Sequence, residues 1–476
     1  MISTPAMCRT DVPLSGSEAL TDVVDAQQGR AGWSWNKPSP VHASVILFMS
    51  CWIALGPNSV VQGVCKDLYG DNAEWYYNSA MAALGVLAMF LTPFWGRVSD
   101  RYGRRPLVVV GALSTCLPWG CMYAFSLYES PEKLGAYLGL VAVMPLVAGG
   151  FSMFLPQAMV ADVVPVEKRT ATLGIVTACG AGSAWVIGPV FFAWFRKHYG
   201  LSACAAMVFG FCVLHLVIAL TIPETLPAHR RSQAPVRLRD VNPLRFFAVL
   251  TGARGTQELE GGRTTTGVFR CLFTMILVLY IAKMGLILSL GLYAQQSLHF
   301  SVGKAAALQT TYGVFQAAGQ LSIPLLIKPF SKRTTIKGGI LCGVVSGLLI
   351  AVPHTPDALL FVSEGLLSLS FVAFTVGVAM ASELAKPKLQ GEVLGVMSTG
   401  MSISSGVGPM VFGIVVKGFQ HTSYPEGAFL IISGFVVISL IVSFALPSDA
   451  EVQAGVTARQ RLESKDVPEL SIPSTV

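Results

Sequence analysis

Gly96-Arg97-Val98-Ser99-Asp100-Arg101-Tyr102-Gly103-Arg104-Arg105-Pro106 lies between two apolar runs, near 79–96 and 106–126. Its chemistry decides how the rest of the chain is read. Gly96 and Gly103 suit a tight turn between closely approaching helices, and Pro106 suits the first turn of the next helix. Asp100 carries a negative charge that the N-terminal dipole of a neighbouring helix would favour. Arg101, Arg104 and Arg105 offer partners for acids on loops of the same side. A bias of basic residues toward the cytoplasm explains the arginines, but not the glycines or Asp100.

Outward from this turn the chain is poor in charge. Of its 476 residues 53% are hydrophobic and only 12% charged, with a mean hydropathy of +0.61, against roughly a quarter charged in soluble proteins. Apolar runs fall near 43–63, 79–96, 106–126, 135–158, 171–195, 202–222, 268–293, 304–327, 336–353, 358–382, 393–416 and 427–446, each about the 20 residues that cross a bilayer. The expected fold is an all-α membrane protein of twelve spans in two pseudo-symmetric six-helix bundles. The divisions are a disordered N-terminal tail (1–41), a first bundle (42–222), a linker (223–267), a second bundle (268–447) and a C-terminal tail (448–476). Lys and Arg concentrate in the even-numbered loops and the linker, which places both tails in the cytoplasm. Residues 1–41 lack the pattern of a cleaved signal peptide, so the first span is expected to target the chain. The membrane itself, plasma membrane or internal organelle, is left open.

The net charge of +7 sits in loops between apolar runs, which argues against a nucleic-acid partner. Most of the ten cysteines lie inside apolar runs, where they act as small hydrophobes. No zinc-type spacing, phosphate-cradling loop or catalytic constellation is present in the sequence. The expectation is therefore no metal, no cofactor, no ATP drive and no enzyme.

The halves also repeat. Gly188-Pro189 follows Gly174 in the fifth run much as Gly408-Pro409 follows Gly395 in the eleventh, and parallel six-span repeats are one plan of transporters. The opening stretch resembles the G-x-x-x-D-R-x-G-R-[RK] signature of the major facilitator superfamily. Asp162-Val163-Val164-Pro165-Val166-Glu167-Lys168-Arg169 resembles the D-x-x-P-x-x-x-R segment of its tetracycline-efflux-like and hippocampus-abundant-transcript-like branch. Pro223-Glu224-Thr225-Leu226-Pro227, Gln390-Gly391 with Gly395, and Gly406-Val407-Gly408-Pro409 with Gly413 are similar to that branch too. The resemblance covers roughly 43–446. It implies a gate in which Asp100 meets the start of span eleven near Gly391, and Asp162 pairs with Arg101 or Arg104. Arg169 belongs to the same gating set. The counterpart loop, Lys328-Pro329-Phe330-Ser331-Lys332-Arg333, lacks the acid, so its latch is expected to be weak or absent. Gly180-Ala181-Gly182-Ser183 with Gly188-Pro189 partly matches a stretch the superfamily associates with antiport. Helix packing by small residues is the competing role for Gly188, Pro189, Gly408 and Pro409.

Ionisable residues inside spans are functional candidates by default. Lys283 lies near the middle of span seven and Glu364 in the outer third of span ten, roughly 14 Å and 9 Å from their outer ends at 1.5 Å per residue. A Lys283–Glu364 pair is geometrically allowed, and it would bind an anionic solute or a proton, or else serve only structure. His215 in span six reads as a hydrogen-bonded packing residue. By the resemblance, spans one, four, seven and ten line the cavity. Span one lacks the acid of tetracycline exporters and offers Asn58 and Gln62 after Pro57; Lys283 stands where animal relatives carry an acid. Gln157, Gln295 and Gln316 add hydrogen-bonding capacity.

The expected function is secondary active transport of a small organic solute by alternating access, coupled to protons, with the lipid bilayer as surroundings. The alternative is a facilitator-fold receptor or trafficking protein that moves no solute. The terminal Ser474-Thr475-Val476 fits a weak PDZ-type contact.

Overall fold

The structure is a computed structural model that describes residues 35–128, 131–143, 146, 154–233, 248–252, 263–296, 298–352, 356–385, 390–419 and 422–465. The tail 1–34 and the terminal Ser474-Thr475-Val476 lie outside the described residues. Helix α1 (Pro40–Leu55) starts where the Ser39 N–H donates to His42 Nδ1 at 3.2 Å, with Pro40 at its first position. Gly56-Pro57 breaks it, and α2 (Asn58–Tyr69) continues. Next come α3 (Ala73–Tyr102), α4 (Arg104–Tyr128), α5 (Pro131–Val143), α6 (Phe154–Val163) and α7 (Val166–Thr177). A π-helical turn, Ala178–Gly182, joins α7 to α8 (Ser183–Thr221).

After the linker, which includes the short α9 (Ala248–Thr251), come α10 (Thr265–Gln296), α11 (Val302–Leu326), α12 (Lys332–Ile350), α13 (Asp357–Leu369), α14 (Phe371–Leu384), α15 (Gln390–Phe419) and α16 (Ala428–Ser443). The C-terminal tail is not wholly irregular. Asp449–Lys465 forms α17, because Ser448 and Glu451 cap it reciprocally: the Ser448 N–H donates to Glu451 Oε2 and the Glu451 N–H to Ser448 Oγ.

Each apolar run read from the sequence carries helix, the fourth interrupted by residues outside the described set. Among the described residues seven helices are long and apolar enough to cross a membrane, and the bent pair Trp75–Thr92 and Phe94–Tyr102 makes an eighth. One of the seven, Lys168–Thr221, has 54 residues, about 81 Å at 1.5 Å per residue and more than twice the hydrocarbon thickness. It turns at Gly200, whose φ is 82°.

In lipid, apolar side chains gain little by leaving the solvent, so helices associate through close packing and polar ties. The observed seams fit that physics. A Cβ on Gly85 of α3 would lie 2.4 Å from the backbone N of Gly406 in α15, and one on Gly313 of α11 would lie 2.4 Å from the Trp185 backbone in α8. These two contacts join the first half of the chain to the second. Within the halves the glycine of each Gly-Pro pair sits on another glycine: Gly188 on Gly56, and Gly408 on Gly285. Ser404 Oγ donating to Leu277 O at 2.9 Å and Ser439 Oγ to Met275 O at 3.0 Å tie α10 to its neighbours.

Candidate solute pathway and its gating contacts

Gly103 closes α3 with φ 105°, and the next helix starts at once with Arg104. That turn aims the Arg104 side chain inward until it is only 2% exposed. Its guanidinium donates to Asp162 Oδ2 at 3.0 Å, Asp100 Oδ1 at 2.7 Å and Ser99 Oγ at 2.5 Å. A planar fork suits this three-way arrangement, whereas a single ammonium would not. Glu224 accepts from the backbone N–H groups of Arg104 at 2.8 Å and Arg105 at 3.2 Å, so a carboxylate caps the positive start of α4. Arg105 also donates to Leu220 O at 2.6 Å, while Arg101 lies over the Tyr102 ring. Of the two partners expected for Asp162, the structure brings Arg104. Asp100 contacts Arg104 directly and has Glu392 of α15 as an electrostatic neighbour. The surroundings of Gly391 lie outside the description. Gly96 contributes its carbonyl to Ser99 Oγ at 2.6 Å.

The second half repeats this staple, which corrects the expectation of a weak or absent latch. Lys332, first residue of α12, donates its N–H to Asp449 at 3.1 Å and its Nζ to Glu383 Oε2 at 2.5 Å. The acid missing from the 328–333 loop is supplied by the end of α14. Glu383 also accepts from Thr170 Oγ1 of α7 at 3.0 Å, and Arg169 reaches Ser382 Oγ at 3.5 Å. Arg169 further donates to the carbonyls of Ala161 and Val164, capping the C-terminal end of α6. At the opposite end, near the C-termini of α2 and α10, Lys66 Nζ crosses between the halves and donates to Gln295 O at 3.1 Å. Nearby, Arg196 pairs with Asp67 at 2.9 Å.

Midway between the two ends lies a cavity of about 1440 Å³, including its open mouth. Both halves wall it: α1, α2, α3, α4, α5 and α8 from one side, α10, α11, α14 and α15 from the other. Its wall is mainly apolar, with Asn58, Tyr77, Thr115, Gln316, Ser402 and Ser405 as polar points, and no acidic or basic side chain among the described residues lines it. Asn58 Oδ1 accepts from the Tyr77 hydroxyl, and Gln316 Oε1 has no hydrogen-bond partner.

Lys283 is 0% exposed and does not line this cavity. Its Nζ has no hydrogen-bond partner and lies 4.5 Å from the ring centre of Phe371, 5.4 Å from Tyr280 and 5.5 Å from Tyr312. Glu364 is 2% exposed, and its Oε2 is also unpartnered. The two side chains are electrostatic neighbours but form no ion pair in this conformation.

Residues 43–259 and 272–472 match the Major Facilitator Superfamily model. The chain belongs to the major facilitator superfamily. It is 23% identical over 390 residues to mouse hippocampus abundant transcript 1 protein, covering 80% of this chain and 74% of that one. It is 22% identical over 372 residues to the class C tetracycline resistance protein of Escherichia coli, covering 76% and 86%. Among solved structures, that of the human organic anion transporter MFSD10 (TETRAN) superposes with a TM-score of 0.69 at 17% identity, covering 86% of this chain and all of that one. The proton:xylose symporter XylE gives 0.63 at 13% identity, covering 88% and 99%. The chain is thus an integral, multi-pass membrane protein with the all-helical fold of the superfamily's transporters, which are not enzymes.

The remaining candidates take varied places in this superfamily fold. Gln62 is buried beside Tyr77. Gln157 is buried in α6 with Oε1 unpartnered, and Gln295 is buried at the Lys66 end. None of the three lines the cavity. Pro189 and Pro409 lie inside α8 and α15. His215 corrects its expected hydrogen bond: it is 3% exposed and neither ring nitrogen has a partner. Sequence reasoning missed Glu383, Thr170 and Trp185. The first had a signal, an acid closing span ten as Asp162 closes span four; the other two had none.

Proposed function

We propose that this chain is a secondary active transporter that moves a small organic solute by alternating access, with protons as the coupled ion. Twelve spans form two six-helix bundles, 42–222 and 268–447, and both termini lie in the cytoplasm. The bias of basic residues and the double-length Lys168–Thr221 helix support that layout. The observation that carries the reading is the mid-depth cavity walled by both halves, with contacts between the halves at either end of it. Glu383 and Thr170 form the cytoplasmic latch; Lys66 and Gln295 form the outer one. Alternating access opens one while the other holds.

The cavity wall suits a largely apolar solute with a few hydrogen-bonding groups, met by Asn58 and Gln316. Glu364, buried with a free oxygen, is the proton carrier. The test uses purified protein in liposomes with an internal pH dye and a panel of drugs, sugars and organic anions. Solute-driven proton movement that Glu364→Gln abolishes supports the reading. Uptake without proton movement removes the coupling. Silence across the panel from folded protein, together with a stable protein partner, would replace transport by the receptor alternative.

A further inference from the structure

Tyr312 and Phe371 each take part in two environments. Both line the central cavity, and both stand within 5.5 Å of the Lys283 ammonium. They stand between an uncharged cavity and a buried amine that has the Glu364 carboxyl as its electrostatic neighbour. Tyr280, which does not line the cavity, is the third ring near the amine, at 5.4 Å. Aromatic faces attract a cation, but they return only a small part of what an ammonium loses on leaving water. With Nζ making no hydrogen bond, the amine still has room in its energetics for an anion.

We infer that Lys283 docks the anionic group of an organic monocarboxylate whose apolar body fills the cavity, with Tyr312 and Phe371 as the shutter the carboxylate must pass. This names the solute class for the transport reading above, on which it rests. The shutter is tied to the opening of the seam. Tyr312 meets Trp185 edge-on at 5.6 Å, and the two form a buried cluster with Ile287 against which the half-buried Leu55 packs. Trp185 and Leu55 come from the first half of the chain, Tyr312 and Ile287 from the second. Parting α8 from α11 takes away the contact that holds the Tyr312 ring over Lys283. In the competing account a small shift pairs Lys283 with Glu364 for structure alone. The cavity then favours neutral solutes, and Lys283 has no say in selectivity.

The experiment measures equilibrium binding of 2-naphthylacetate and its neutral isostere 2-naphthylacetamide to the purified full chain in nanodiscs at neutral pH. The expected result is a preference of about tenfold or more for the carboxylate, abolished by Lys283→Met while the amide binds as before. A second measurement does not depend on that variant folding. In Tyr312→Ala, trinitrobenzenesulfonate should label Lys283, read by peptide mass spectrometry, and naphthylacetate should protect it where the amide does not. Equal affinity for the two probes, binding of neither at millimolar concentration, or a preference that survives Lys283→Met overturns the inference. So does equal protection by both probes. Because these readouts need no flux, carboxylate-selective binding with no transport in liposomes would sink the transport reading and leave the docking site standing.

Discussion

Glu383 accepts a hydrogen bond from Thr170 at 3.0 Å while its other oxygen holds the Lys332 amine at 2.5 Å. One carboxylate therefore serves both the internal staple of the second half and the contact between halves. Thr170→Val removes the Thr170–Glu383 bond while leaving the staple and the Arg169–Ser382 contact, a loss of about 1 kcal/mol, and should shift the population toward an opened Arg104 end with little change in melting temperature. Spin labels placed across that end would show a longer distance component. An unchanged distance distribution would mean that the bond is incidental. Glu383→Ala should do both, opening the end and lowering the melting temperature.

Arg104→Lys is expected to behave as a disruptive change. The guanidinium serves Asp162, Asp100 and Ser99 together at 2% exposure, and a lysine cannot reproduce the fork. Leaving Asp100 and Asp162 short of a partner should destabilise by about 3 kcal/mol, seen as an early transition in a tryptophan-fluorescence melt. A melt within a degree or two of the native chain would show that the staple bears little of the fold's stability.

Gly103 and Gly434 should respond in opposite ways to alanine. Gly103 has φ 105°, and its Cβ would lie 2.2 Å from Glu224 Oε2, so Gly103→Ala strains the backbone and displaces the cap on α4, at about 1–3 kcal/mol. Gly434, inside α16, has nothing within 4 Å of its would-be Cβ. Gly434→Ala should be neutral or stabilising by about 0.5–1 kcal/mol through helix propensity. Thermal melts of the two variants, run side by side, test the pair, and a matching response would contradict it.

Replacing the Lys283 ammonium by an apolar chain of similar length should raise the melting temperature. The group is fully buried with no hydrogen-bond partner, and swapping buried charge for packed hydrocarbon commonly stabilises by about 1–3 kcal/mol. A lower melting temperature in Lys283→Met would show instead that the amine is engaged by a partner needed for folding.

The cap on α17 should titrate. The Ser448 N–H and hydroxyl, with Arg263 beyond them, hold the Glu451 carboxyl below its usual range. For an acid held low in the folded state, the stabilisation is present above the unfolded value, about 4.3, and is lost as pH falls through the lower, folded one. Amide exchange in 449–465 should therefore accelerate, relative to the intrinsic rate, as pH drops below about 4.3, and Glu451→Gln should exchange fast at all pH. Pointing the other way would be a helix whose protection ignores both the acid and the substitution.

Much of the fold could be read from the chain because lipid leaves few options. Runs of about 20 apolar residues must become helices, and the Gly96–Pro106 chemistry names the turn between two of them. The Asp162 contact was half readable: the resemblance offered Arg101 or Arg104, and only the folded chain selects Arg104. What escaped the sequence depends on side chains meeting from distant helices. Glu383 lies 51 residues beyond Lys332, and nothing local says which acid an amine will find. Lys283 occupies the middle of its span as read, but facing the cavity is a matter of rotation about α10. There Gly285 packs against Gly408, and Tyr312 and Phe371 arrive from other helices to close the wall.

The matched staples carry one more consequence. Arg104 with Asp162 and Glu224 fastens one half to itself, and Lys332 with Glu383 and Asp449 does the same for the other. Each part keeps its own clasp, and the two meet along glycine seams such as Gly85 on Gly406. A protein built this way does not need covalent continuity between its parts. Two separately encoded polypeptides, ending and restarting within the linker, should find each other in the membrane and copurify as one particle. Coexpression with a tag on one piece only is the way to see it, and failure of the untagged piece to follow would show that the connecting segment does more than connect.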